Sequence, residues 1–212
     1  MRTPELKLCG NRSLEDWQIV RGSGVSHAGF IFANSVRRVT DDQVKKWLSD
    51  YPPFDGMKIV GVFVNPELEE LAQTVSEVPL DVIQLHGNET PAFGAKIKQM
   101  TGKTLWKVIH HGDDAHNVMT KFSGIADSYI VDTKLPGQWG GTGKRFDWSA
   151  IPAYQKEASK QEVLLFIAGG VTPENVQELL SYHPDGIDVS SGIEENDRKD
   201  QTKMNRMKER LG

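Results

Sequence analysis

The chain has 212 residues, 25 Lys plus Arg against 29 Asp plus Glu, a formal charge of −4 and 38% hydrophobic residues. This mildly acidic, evenly mixed composition excludes the basic excess of a nucleic-acid binder and the bias of a disordered chain. No apolar run approaches the roughly 18 residues of a membrane span. The single cysteine, Cys9, excludes an internal disulfide, and Met1 to Leu8 reads as no signal peptide, so a cytoplasmic, reducing setting is expected.

Residues 6–9 form the first short apolar segment and predict a strand. Residues 13–21 then predict a helix, with Ser13 as N-cap and Glu15 and Asp16 in its first turn. Strand 28–33 leads to Thr40-Asp41-Asp42-Gln43, which has the form of a capping box ahead of Val44, Trp47 and Leu48 on one helical face. After strand 58–64, residues 66–75 place Leu68, Leu71, Ala72 and Val75 at helical spacing. Strand 82–86 precedes a helix that opens at Thr90-Pro91 and stops near Gly102. Strand 105–109 is followed by a weaker helix over 114–122. Strand 129–132 is followed by a helix over 148–158, irregular at first because of Pro152. Strand 163–168 leads to a helix start at Thr172-Pro173-Glu174-Asn175. Strand 186–189 precedes a charged closing helix over 197–211.

Most of these strands are continuous apolar runs, as suits parallel strands covered on both faces. Eight strands, each followed by a helix, imply helical crossovers and a single α/β domain over 1–212, a (β/α)₈ TIM barrel rather than an open doubly wound sheet. In such a barrel the chemistry sits at the C-terminal ends of the strands. Those ends carry Cys9, Arg37, His86, Asp132, Gly169-Gly170, and Asp188 followed by Ser190-Ser191-Gly192.

Each of these residues has a physical reading. Glycine permits close backbone approach, and free N–H groups favour an anion, so the loops after strands seven and eight are candidates for a phosphate. The run Gly140 to Lys144 is no Walker A loop, because Arg145 stands where Ser or Thr is required; a loop closing over substrate is the better reading. A carboxylate at the end of Tyr129-Ile130-Val131 should be partly desolvated and able to hold a proton. Otherwise Asp132 pairs with Lys134, Arg37 or another cation. Cys9 is either a small buried hydrophobe or, in an electropositive mouth, a thiolate. His110 and His111 point to opposite faces and cannot share a metal. His27, His116 and His183 read as surface residues. No metal site is expected.

The ordered set of segments resembles the phosphoribosylanthranilate isomerase family of tryptophan biosynthesis. It comprises Lys7-Leu8-Cys9-Gly10, Ser35-Val36-Arg37-Arg38, Gln84-Leu85-His86-Gly87 and Asp132-Thr133-Lys134. It continues with Gly140-Gly141-Thr142-Gly143, Ala168-Gly169-Gly170 and Asp188-Val189-Ser190-Ser191-Gly192. The resemblance implies a cofactor-free Amadori rearrangement of N-(5′-phosphoribosyl)anthranilate to 1-(2-carboxyphenylamino)-1-deoxyribulose 5-phosphate. It assigns Asp132 as general acid and Cys9 as general base. It gives Arg37 the anthranilate carboxylate, with Arg38 as fallback, and sets His86, Asp188 and Gly141 around the substrate. It gives the phosphate to Gly169, Gly170, Ser191 and Gly192. The acid needs a raised pKa, and the thiol needs one below its ordinary 8.5 or so. The implied partner is a phosphorylated small molecule, with no nucleic acid or membrane, and the chain is expected as a monomer or homodimer. Rival readings are an indole-glycerol-phosphate synthase, for which Lys7 or Lys107 could be the strand-borne acid, a pentose-phosphate epimerase, and a non-catalytic phosphoribosyl binder. The last would not require both Cys9 and Asp132.

Overall fold

The computed structural model describes residues 3–133 and 145–212. Eight parallel strands close into a barrel in chain order: β1 (Glu5–Leu8), β2 (His27–Ile31), β3 (Lys58–Phe63), β4 (Val82–Leu85), β5 (Thr104–His110), β6 (Ser128–Asp132), β7 (Leu164–Ile167) and β8 (Gly186–Val189). The ring closes where β1 pairs with β8, with Lys7 opposite Asp188 and Leu8 opposite Val189. The expected eight-unit barrel is therefore the observed one.

The crossover helices are α1 (Leu14–Arg21), α2 (Asp41–Asp50), α3 (Leu68–Glu77), α4 (Pro91–Thr101), α5 (Ala115–Lys121), α6 (Ile151–Lys160), α7 (Val176–Leu180) and α8 (Gln201–Leu211). Their ends follow local chemistry. Ser13 caps α1 by accepting the Asp16 N–H, and Thr40 and Gln43 form the capping box of α2. Gly102 ends α4 at φ +64°, a conformation a β-carbon disfavours. A single 3₁₀ turn, Trp148–Ala150, precedes α6, and Pro152 occupies that helix's first turn. At the far rim, Asp81, Asp127 and Asp185 each accept the N–H of the second residue of the preceding strand (Ile59, Leu105 and Leu165) at 2.8, 2.8 and 3.0 Å.

Two expectations shift. The helix after β7 does not start at Thr172. Asn175 instead accepts the Thr172 N–H at 2.8 Å and donates to the Gly170 carbonyl at 2.8 Å, and only five residues of α7 follow. Side-chain hydrogen bonds here outcompete the helix. The last helix is shorter than 197–211, because Glu194–Glu195 (β9) and Arg198–Lys199 (β10) first form a small hairpin. Asp16 of α1 pins that hairpin through the Lys199 N–H at 3.0 Å.

Two apolar layers result. The larger lies between strands and helices; the smaller fills the barrel with Val60, Val62, Val82, Trp106, Val108, Ile130 and Phe166. His27 belongs to the second, not to the surface as its sequence context suggested. Its ring packs 4.8 Å from Trp106 and 5.7 Å from Phe166. Burial, then Lys7 and Lys58, hold its pKa down to about 4. His116 and His183 are exposed as expected. No helix among the described residues is long and apolar enough to cross a membrane.

Candidate active site

Strand alternation decides which side chains enter the barrel mouth. Cys9 follows β1, Asp132 ends β6, His86 follows β4 and Asp188 lies on β8. All four line one cleft at the C-terminal end of the barrel, together with Arg37, Gly169, Gly170, Ser191 and Gly192. Every expected site residue within the described residues thus faces the same space. Gly141 lies outside them, as does Lys134, one of the cations proposed to pair with Asp132.

Asp132 is 5% exposed. Its Oδ1 accepts the Thr133 N–H at 2.7 Å, and its Oδ2 lies 3.3 Å from His86 Nε2. That nitrogen is buried and makes no aligned hydrogen bond. Among the described residues the side chain beside the carboxylate is thus His86 rather than Arg37. His86, expected only to line the pocket, stands beside the acid. His110 enters the mouth as well, its Nε2–H donating to the His86 carbonyl at 3.0 Å, while His111 points outward to the Tyr154 hydroxyl at 2.9 Å. Burial, then His86, lowers the pKa of His110.

Cys9 departs from expectation in one respect. Burial pushes its thiol upward, and that outweighs the pull of Lys7; Asp188 adds to the rise and Lys199 opposes it. The expected depression of the thiol pKa is absent because desolvation disfavours the thiolate more than the neighbouring ammonium groups favour it. Lys7 is fully buried and donates to both Asp188 oxygens, at 2.9 and 3.0 Å. Asp188 therefore lines the cleft with its carboxylate already engaged.

Arg37 is also engaged. Its Nε and Nη2 donate to Glu194 at 3.0 and 2.6 Å, and Lys199 donates to the same carboxylate at 2.8 Å. Burial would raise the Glu194 pKa; the Arg37 hydrogen bonds and Lys199 hold it down to about 2. Arg38, the fallback, turns into a separate cleft between α2 and α3, so the register favours Arg37.

The glycines have steric work to do. Gly169 and Gly170 hold φ of +81° and +65°. A β-carbon on Gly169 would come within 2.9 Å of Asp132 Oδ1, and one on Gly192 would collide with the Val171 carbonyl. These loops therefore pack on each other and on the acid before any ligand arrives. With α7 only five residues long, an anion here would meet loop N–H groups rather than a helix dipole.

Lys7 enters the sequence reading only as a possible acid of the rival synthase; the His86–His110 pair, the Glu194–Lys199 anchor and the buried, unpaired Gln84 Oε1 have no part in it as site features. Counting by twos from Cys9 and His86 places Lys7 and Gln84 inward. Nothing local signals Glu194, which acts from a hairpin beyond β8. Among the described residues no three His, Cys, Asp or Glu side chains gather to hold a metal.

The model of the N-(5′-phosphoribosyl)anthranilate (PRA) isomerase family matches residues 6–210. The chain belongs to that family. It is 48% identical over 210 residues to the N-(5′-phosphoribosyl)anthranilate isomerase of Geobacillus thermodenitrificans, covering 99% of this chain and 95% of that one. Among solved structures, monomers generated from the dimeric isomerase of Thermotoga maritima match at 28% identity with a TM-score of 0.80, covering 98% of each chain. A further isomerase, in complex with reduced 1-(o-carboxyphenylamino)-1-deoxyribulose 5-phosphate, matches at 28% with a TM-score of 0.81, again over 98% of each. The resemblance read from the motifs is borne out, as are the barrel and the activity class. This family member is an aldose–ketose isomerase, an intramolecular oxidoreductase. The synthase reading also loses Lys107, which points outward and pairs with Glu89 at 2.8 Å.

Proposed function

We propose that this chain performs the Amadori rearrangement of N-(5′-phosphoribosyl)anthranilate in tryptophan biosynthesis, with Asp132 as general acid and Cys9 as general base. The observation that carries this reading is the convergence of those two side chains on one cleft from opposite parts of the chain. A non-catalytic binder would need the phosphate loops but not both of them.

Asp132 protonates the ribose ring oxygen, and the ring opens to a Schiff base. Cys9 removes the C2′ proton, and the resulting enolamine tautomerises to the ketone. Thr133 N–H and His86 orient the acid. Ile31, Val62 and Val64 offer the aromatic ring an apolar wall. Arg37, fixed by Glu194, meets the anthranilate carboxylate, and Asp188 and Gly141 complete the substrate site. The backbone of Gly169, Gly170, Ser191 and Gly192 binds the phosphate, the first two holding the positive φ that glycine permits. The protein works in the cytoplasm on a small phosphorylated substrate, as a monomer or homodimer.

The test is a fluorescence assay with freshly made phosphoribosylanthranilate and no added metal. Loss of anthranilate-type fluorescence with formation of the aminoketose is the expected result. No turnover by the folded protein would overturn the reading.

A further inference from the structure

We propose that Lys7 is a positioning residue for this reaction: its buried ammonium, seated beneath Cys9 and clamped to Asp188, supplies the positive charge that lets the Cys9 sulfur act as a thiolate. The proposal rests on the reading of Cys9 as base.

Lys7 and Cys9 lie two residues apart at the end of β1, so both face the barrel interior. Lys7 is fully buried, and its ammonium reaches across the β1–β8 seam to both oxygens of Asp188. The ammonium and the sulfur also press on the same glycine of β2. A β-carbon on Gly29 would lie 2.8 Å from Cys9 Sγ and 3.1 Å from Lys7 Nζ. Lysine, cysteine and glycine therefore interlock across β1 and β2, and a side chain at that position would displace the sulfur or the ammonium.

A lysine in this place calls for an explanation. The interior of such a barrel is filled by apolar layers, and taking an ion out of water costs several kcal/mol. A methionine would occupy the same volume at no such cost. The charge stands where a second charge must form during the reaction, on the neighbouring sulfur. Several charged groups face that sulfur. Asp188 on β8 opposes a thiolate; Lys199 on β10 and Arg37 after β2 favour it; His86 and Asp132 line the same cleft from the ends of β4 and β6, with His110 of β5 beside His86. Lys7 does two things at once. It neutralises Asp188, and it is first among the groups pulling the thiol down against burial. The coupling is mutual. Burial would lower the Lys7 pKa, but Asp188 and then Cys9 raise it above its ordinary value.

The chain has one cysteine, so alkylation by iodoacetamide reports on Cys9 alone. Its rate is measured against pH in the wild type and in Lys7→Met, beside kcat/KM for the isomerisation over the same range. The alkylation midpoint is expected to rise by about one pH unit or more in Lys7→Met, a tenfold loss at neutral pH. The acidic limb of kcat/KM should move with it, and kcat should fall more than KM rises. A folded Lys7→Met whose alkylation profile superimposes on that of the wild type overturns the proposal. Asp188→Asn provides a second reading should Lys7→Met not fold. With its anion gone and Lys7 still charged, the Cys9 midpoint should drop below the wild-type value; an unchanged or higher midpoint overturns the proposal equally. An active Cys9→Ser would sink the reading of Cys9 as base, while the alkylation shift would still report whether Lys7 controls the sulfur.

Discussion

Lys7 and Lys107 make an instructive pair. Each sits in the middle of a short apolar strand, each is at most 2% exposed, and each holds a carboxylate at 2.8–2.9 Å. Their surroundings nevertheless differ entirely. Lys7 points into the barrel between Cys9 and Asp188. Lys107 points out into the helix layer. There it donates to the Gly87 carbonyl at 2.7 Å and to Glu89, which in turn accepts the N–H groups of Gly87 and Asn65. The outer lysine thus ties the ends of β3, β4 and β5 together, holding the turn that carries His86. Their proton affinities move in opposite directions. Burial dominates at Lys107 and lowers its pKa despite Glu89, whereas at Lys7 the combined pull of Asp188 and Cys9 wins. One buried pair faces the candidate site and the other the helix layer, and the parity of the strand separates them.

That division can be broken experimentally. On the inner side, Cys9→Ser and Asp132→Asn should each lower kcat by about 10² to 10⁴ while leaving a folded protein, since general acid–base groups contribute that much. Steady-state kinetics alongside circular dichroism read both quantities; near wild-type turnover by either variant would remove that residue from its role. On the outer side, Lys107→Met should behave in the opposite way. It strands the buried Glu89 carboxylate, costing about 3–5 kcal/mol of stability in urea unfolding. The kcat of the folded fraction should fall less than tenfold. A Lys107→Met that is stable but catalytically dead would erase the distinction between the two lysines.

His27 gives a third, smaller contrast, since it is interior but lies at the floor of the barrel, away from the mouth. Its folded pKa of about 4 is below the ordinary 6.5. The unfolded chain therefore takes up a proton between these values that the folded chain refuses. The stability from burying neutral imidazole is full above pH 6.5 and lost as pH falls through 4, about 3 kcal/mol in all. His27→Gln should lose correspondingly less stability than the wild type between pH 7 and pH 4, measured by denaturant unfolding at each pH. Equal losses would show that another group controls acid unfolding. The smallest effect belongs to the exposed cap of α2. Thr40→Ala should cost about 1 kcal/mol and leave turnover unchanged, as the thermal midpoint and the same assay would show.

Much of this molecule is legible from local pattern. The eight apolar runs fall on the eight strands to within a residue or two, because parallel strands buried on both faces need uninterrupted Val, Ile and Leu. The caps at Ser13, Thr40, Thr90 and Gly102 act where they were read, since a cap is a contact between residues three or four apart. The positions of Cys9, Asp132, His86 and Asp188 at the mouth follow from the barrel rule. The start of α7 was misread because Asn175 folds back on Thr172 and Gly170, a competition invisible to a capping pattern. The burial of His27 was misread because a lone histidine gives no sign of the Trp106 and Phe166 rings that enclose it.

By itself, the order of apolar segments, caps and strand-end residues determined that this chain folds as an eightfold barrel and which side chains could do chemistry at its rim. Those features are set by neighbours along the chain. The electrostatic partners were decided only by the closed structure: Lys7 with Asp188 across the β1–β8 seam, Arg37 with Glu194 and Lys199, and His86 with Asp132. Charges act through space, at distances that the sequence does not contain until the ring closes and brings the first strand against the last.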